Sequence, residues 1–114
     1  EIFFAPKQRT RLISMLEELV LALEAMGPLN GLVELGRSTT RDQLNRIERH
    51  LASAAVIREQ MRAKHLEDVR KARYSVESGM VFNEMGNLLE EVGLRMGILT
   101  EKYGEIFKAS QPKQ

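Results

Sequence analysis

The two histidines, His50 and His65, are the first residues to test for metal binding, because the chain has no cysteine. They stand fifteen positions apart, and neither belongs to an HxxxH or HExxH pattern, which brings two ligands together on one helix. On a straight helix this separation spans about 22 Å, so the two rings cannot share one ion. We therefore expect no metal site within the chain and no cofactor.

Paired carboxylates are the next candidates for chemistry, and they occur at Glu17–Glu18 and Glu90–Glu91. Adjacent residues on a helix diverge by about 100°, so neither pair can present two carboxylates to one substrate atom. The ExxH spacing of di-iron bundles is absent, as are the GxSxG nucleophile motif and the glycine-rich phosphate loops. We predict that the chain has no catalytic residue and is not an enzyme.

Basic residues are concentrated in the middle of the chain. Between Arg37 and Arg73 there are ten Lys or Arg and five Asp or Glu, whereas Glu77 to Phe107 holds two basic residues and six glutamates. A stripe that follows nucleic-acid phosphates could be built from seven of the basic side chains: Arg46, Arg49, Arg58, Arg62, Arg70, Lys71 and Arg73. We favour mutual neutralisation of the two segments, because their charge balances have opposite signs. The basic segment also has no Phe, Tyr or Trp for base stacking, which argues against binding of single strands.

A helix-turn-helix is a second route to nucleic-acid binding, because Pro28–Gly36 followed by Thr39–Leu51 has its general shape. With Gly36 as the turn glycine, buried positions would fall at Arg37, Asp42 and Asn45. All three are polar, so the tight form of the motif fails in this register. Binding of nucleic acid through residues 41–73 remains the alternative function.

The spacing of apolar residues predicts long amphipathic helices. We expect an apolar lead-in at 1–6, a helix at 7–26, a loop with a short helix at 27–39, a long basic helix at 40–78 and a tail at 109–114. The first helix has an apolar stripe at Leu12, Leu16, Leu19, Leu23 and Met26. Gly79 is the expected turn into a last helix at 80–108.

That last helix has two apolar rows of heptad spacing, which indicates helix packing or oligomerisation. The eight residues of this heptad stripe are Phe82, Met85, Leu89, Val92, Met96, Leu99, Tyr103 and Ile106. Gly79, Gly86 and Gly93 also recur every seven residues. Each interior glycine costs a helix about 1 kcal/mol relative to alanine, so we expect them to admit a neighbouring helix at close range.

These patterns predict an all-α domain over residues 1–114. In it the two long helices form an antiparallel hairpin, and the shorter N-terminal helix packs along part of it as a three- to four-helix bundle or coiled-coil-like assembly. One short helix cannot cover a hairpin twice its length, so an apolar strip remains for a second copy. We expect a homo-oligomer that acts as a non-catalytic protein-interaction module (adaptor, assembly subunit or small chaperone) with a partner still to be identified. No uncharged run reaches the ~20 residues that span a membrane, and the expected location is the cytoplasm.

Overall fold

The computed structural model describes residues 4–31, 37–71 and 75–109. Of these residues 96% are helical and none lies in a strand, which confirms the all-helical class. Helix α1 spans Pro6–Met26, a short 3-10 helix spans Gly27–Gly31, α2 spans Arg37–Arg70 and α3 spans Val76–Ala109. Within the described ranges, no helix is long and apolar enough to cross a membrane.

Helix α1 starts at Pro6, a residue suited to the first helical position because it has no N–H to donate. It buries the row Leu12, Met15, Leu19, Ala22 and Met26. The expected stripe shares only three members with this row, since Leu16 and Leu23 are exposed.

Helix α2 is continuous from Arg37 to Arg70, about 51 Å at 1.5 Å per residue. It begins three residues before the expected Thr40 and ends eight before the expected Ser78. Its apolar face is thin, and its buried apolar side chains are Leu44, Ile47, Ala54 and Met61.

The reversal between α2 and α3 precedes the expected turn at Gly79. The hydroxyl of Ser75 accepts a hydrogen bond from the backbone N–H of Ser78 at 3.0 Å, the geometry of a helix N-cap. Helix α3 therefore starts at Val76, and Gly79 is buried inside it. Gly79 is therefore a buried position of α3 and not the turn.

Contacts between α1 and α2 pair rising residue numbers on one helix with falling numbers on the other. The Nε2 of Gln8 donates to the carbonyl of Met61 at 3.0 Å, and Glu18 Oε2 lies 2.7 Å from His50 Nδ1. The two helices are therefore antiparallel, and the N-terminal part of α1 lies beside the C-terminal part of α2.

Helix α3 also runs opposite to α2. The rings of His65 and Phe82 stack with centroids 6.2 Å apart, and Arg41 lies 5.8 Å from the ring centroid of Phe107. Since α1 and α3 both oppose α2, they run parallel to each other. Phe4 meets Phe82 edge-on at 5.3 Å, which places the start of α1 beside the start of α3. The molecule measures 61 × 18 × 16 Å.

Candidate interaction surfaces

The two rows of the heptad stripe on α3 have different environments. Phe82 and Met96 are buried, and Leu89 and Tyr103 are half-buried against the core. The second row is exposed, namely Met85, Val92, Leu99 and Ile106. The positions that face the core instead of this second row are 86, 93 and 100, which are glycine, glycine and threonine. Half of the heptad stripe is therefore left outside the contacts that the chain makes with itself.

Helix α1 has an exposed apolar row of its own, at Ile13, Leu16, Val20 and Leu23. It lies on the edge of α1 opposite Glu18, the residue that reaches α2. The exposed row of α3, with Leu88, lies on the edge opposite Asn83 and Asn87, which also reach α2. Both rows thus lie away from α2, on one side of the α1–α3 pair. We call these nine side chains the α1–α3 face.

A second apolar concavity lies between α2 and α3, with a volume of about 560 Å³. Its walls include Ala52, Ala55, Gly93 and Gly97 as well as Leu94 and Ile98. Glu59, Glu90 and Glu101 also line it. We call it the α2–α3 groove. Arg58 lines it too, so the groove has three carboxylates and one guanidinium among its lining residues.

Arg58 belongs to the predicted basic stripe, yet its side chain is buried, with 1% of the residue exposed. Its Nη2 donates to Asn87 Oδ1 at 2.7 Å and to Asn83 Oδ1 at 3.3 Å. The Nε and Nη1 atoms have no hydrogen-bond partner among the described residues. Burial lowers the pKa of this guanidinium, and the nearby charge of Arg62 lowers it further. Arg58 therefore joins α2 to α3 and is not available to an outside phosphate.

Two other members of the basic stripe bond to carboxylates of the chain. Arg62 Nη2 bonds both carboxylate oxygens of Glu90 at 2.5 and 2.6 Å, and its Nη1 bonds Glu59 at 2.5 Å. Lys71 lies 2.9 Å from Glu67, and Lys64 lies 3.2 Å from the same carboxylate. The Lys71 and Lys64 ammonium groups lower the pKa of Glu67 to about 2. These contacts neutralise part of the positive charge that the sequence concentrates on this helix.

The remaining stripe residues divide into two groups. Arg46, Arg49 and Arg70 are exposed on α2. Arg73 lies outside the described residues, as does Gly36, the turn glycine of the helix-turn-helix alternative. Three exposed arginines thus remain as the anionic-partner surface.

The two histidines have separate structural surroundings. His50 bonds Glu18 of α1, while His65 stacks on Phe82. Burial lowers the pKa of His65, and the positive charge of Arg58 lowers it further. Across the parts of the chain that the structure describes, no group of three or more possible ligands could hold a metal ion.

Sequence reasoning missed two features of these surfaces. One is the burial of Arg58, because arginine is ordinarily an exposed residue. The sequence signal for this burial is Gly86, because a residue without a side chain leaves space for the guanidinium. The other is the outer row of α1, since a leucine-rich helix offers several apolar stripes and the sequence does not say which one packs. Among polar side chains, Gln8 and Thr40 are also buried.

Comparison with protein-family models, with curated proteins and with solved structures finds no match to this chain. Its function is therefore inferred from its own surfaces.

Proposed function

We propose that this chain is a non-catalytic helical interaction module that works as a homo-oligomer. The observation that carries the proposal is the amount of apolar surface left exposed. Among the described residues seventeen large apolar side chains are exposed, which is too many to be scattered surface residues. In this proposal the three helices are one half of a larger bundle, and association buries the apolar side chains that one copy cannot cover.

The total surface of the chain is larger than that of a compact monomer of the same mass. The chain exposes 7850 Å². A compact monomer of 13.0 kDa exposes about 6,300 Å². The chain therefore has about 1,500 Å² more surface than a compact monomer of its mass. An elongated shape contributes to the excess, but an elongated shape with apolar sides is itself typical of helices that pack against another copy.

The experiment is the solution mass by light scattering after gel filtration, over a wide range of concentrations. We expect a mass of at least twice 13.0 kDa that persists on dilution into the low micromolar range. A mass of 13.0 kDa at every concentration would remove self-association from the proposal. The exposed apolar side chains would then have to be covered by a different protein.

Nucleic-acid binding through residues 41–73 is the second candidate, and the exposure of Arg46, Arg49 and Arg70 is the observation in its favour. Burial of Arg58 and the bonds of Arg62 and Lys71 to carboxylates weigh against it. Fluorescence anisotropy with random duplex DNA separates the two candidates. Binding that persists near physiological salt would favour the second, whereas binding confined to very low salt is what any basic patch gives.

A further inference from the structure

The contact between Leu19 and Gly93 shows which residues of α1 and α3 lie at the same height along the helix axes. A Cβ placed on Gly93 would lie 3.4 Å from Cδ2 of Leu19, so these two positions are side by side. Because the helices run parallel, each position of α1 lies level with the position of α3 that is 74 residues later. Glu17 then lies level with Glu91, and Glu24 with Ile98.

The outer edge of the α1–α3 face is acidic on α1, whereas on α3 it holds two basic side chains together with Glu84 and Glu91. On α1, Glu17 and Glu24 follow Ile13 and Val20 by one turn and border the face on its far side. On α3, Arg95 and Lys102 follow Val92 and Leu99 by three residues and border the opposite edge. All four charged side chains are exposed. Between these two edges both exposed rows are apolar.

We propose that the α1–α3 face is the contact surface of a twofold homodimer in which α1 of each copy lies against α3 of the other. The proposal rests on the proposed function, since it says which face makes the homo-oligomer. A twofold axis parallel to the helices places the glutamate edge of one copy against the α3 edge of its partner, where Arg95 and Lys102 outnumber Glu91 at these levels. The same axis keeps the levels unchanged, so Glu17 lies about 6 Å along the axis from the level of Arg95 in the other copy. Glu24 has the same offset from Lys102.

A twofold axis perpendicular to the helices would give a different arrangement. It would lay α1 of one copy against α1 of the other, and glutamates would then face glutamates. Like charges at such distances are repulsive, so the parallel axis is favoured. In the single chain Arg95 bonds Glu91 at 2.9 Å, and Lys102 lies 3.6 Å from Glu105. Both are exposed pairs within one helix, which are weak enough to be exchanged for contacts with a partner.

The first test is charge reversal with mixing, followed by analytical ultracentrifugation. We expect the double variant Glu17→Lys/Glu24→Lys to raise the dimer dissociation constant about tenfold, because four attractive pairs become repulsive. The double variant Arg95→Glu/Lys102→Glu should do the same. Mixed in equal amounts, the two variants should form a heterodimer as stable as the wild type, since every reversed glutamate then meets a reversed basic residue. Two variant homodimers as stable as the wild type would overturn the parallel arrangement.

The second test separates this face from the α2–α3 groove. Val92, on the α1–α3 face, is 47% exposed, and Leu94, in the groove, is 67% exposed, so glutamate at either position should leave the helix folded. We expect Val92→Glu to give a monomer and Leu94→Glu to leave the dimer intact, with unchanged helical circular dichroism in both. The reverse result would overturn the proposed face while the homo-oligomer stands. A wild-type chain that is monomeric at all concentrations would overturn both.

Discussion

The guanidinium of Arg58 lies against the backbone of α3 at Gly86. A Cβ on residue 86 would come within 2.7 Å of Nη1 and 2.8 Å of Cζ, closer than real Cβ contacts allow. The glycine is therefore the space in which the buried arginine is held. Without it, the hydrogen bonds from Nη2 to Asn83 and Asn87 could not form in the same geometry.

Substitution Gly86→Ala should lower the free energy of unfolding, although alanine is the better helix former. The gain in helix propensity is about 1 kcal/mol, and displacement of a buried, hydrogen-bonded guanidinium should outweigh it. The matched control is Gly97→Ala, where an added Cβ meets nothing within 4 Å and should stabilise by about 1 kcal/mol. Chemical denaturation measures both. Equal stabilisation by the two alanines would contradict the contact.

Replacement of Arg58 by methionine should leave the free energy of unfolding unchanged or raise it by about 1 kcal/mol. Two of its nitrogens are buried without a partner, and an apolar side chain of similar length removes that cost. The Oδ1 atoms of Asn83 and Asn87 lose their donor in this variant, but neither residue is fully buried and both can bind water instead. In the Arg58→Met background, Gly86→Ala should become stabilising, which a double-mutant cycle would detect. A loss of more than about 2 kcal/mol on Arg58→Met would show that the arginine is better satisfied than its contacts indicate.

Substitution Ser75→Ala should cost about 1 kcal/mol, because it removes the acceptor for the N–H of Ser78 at the start of α3. The control is Ser75→Asp, since the aspartate carboxylate accepts the same bond and favours the positive end of the helix. Thermal unfolding of the two variants beside the wild type provides the comparison. Equal losses for Ser75→Ala and Ser75→Asp would mean that the cap contributes nothing.

The stability of the chain should fall as the pH is lowered below about 6.5, in part because of His65. Burial and the charge of Arg58 lower the pKa of His65 from its ordinary value of 6.5. The unfolded chain then binds a proton at higher pH than the folded chain, so acid favours unfolding in this window. His65→Phe keeps a ring against Phe82 and removes the titration. The difference in unfolding free energy between variant and wild type should grow from pH 7 toward pH 5, and a constant difference would exclude this role.

The helical class followed from composition and periodicity, whereas the choice of packed face did not. On α3 the row of Met85 and the row of Gly86 both have the seven-residue spacing of the Phe82 row and lie next to it on the helix. Apolar character alone favours the methionine row. The glycine row is the one that faces the core, because small side chains let α1 and α2 approach the backbone of α3. Close approach of helices is a tertiary effect, and a single sequence shows it only as an unexplained glycine.

The turn between α2 and α3 was misplaced for a similar reason. Glycine is a frequent helix terminator, so Gly79 is the natural choice in a segment with no proline. The short hydroxyl side chain of Ser75 provides a specific start signal four residues earlier. A serine followed by helix formers is common within helices as well, and only its bond to Ser78 distinguishes the two cases.

The recurrence of glycine at positions 79, 86 and 93 offers α3 three places where an arginine could lie against its backbone. A slip of α3 along α2 by one heptad would exchange one such place for another. Only at Gly86 are the residues three before and one after both asparagines, which give Nη2 its two acceptors. The corresponding residues are Val76 and Met80 around Gly79, and Glu90 and Leu94 around Gly93. Only Gly86 thus has an acceptor at both positions, which favours one register of a repeat that by itself would permit three.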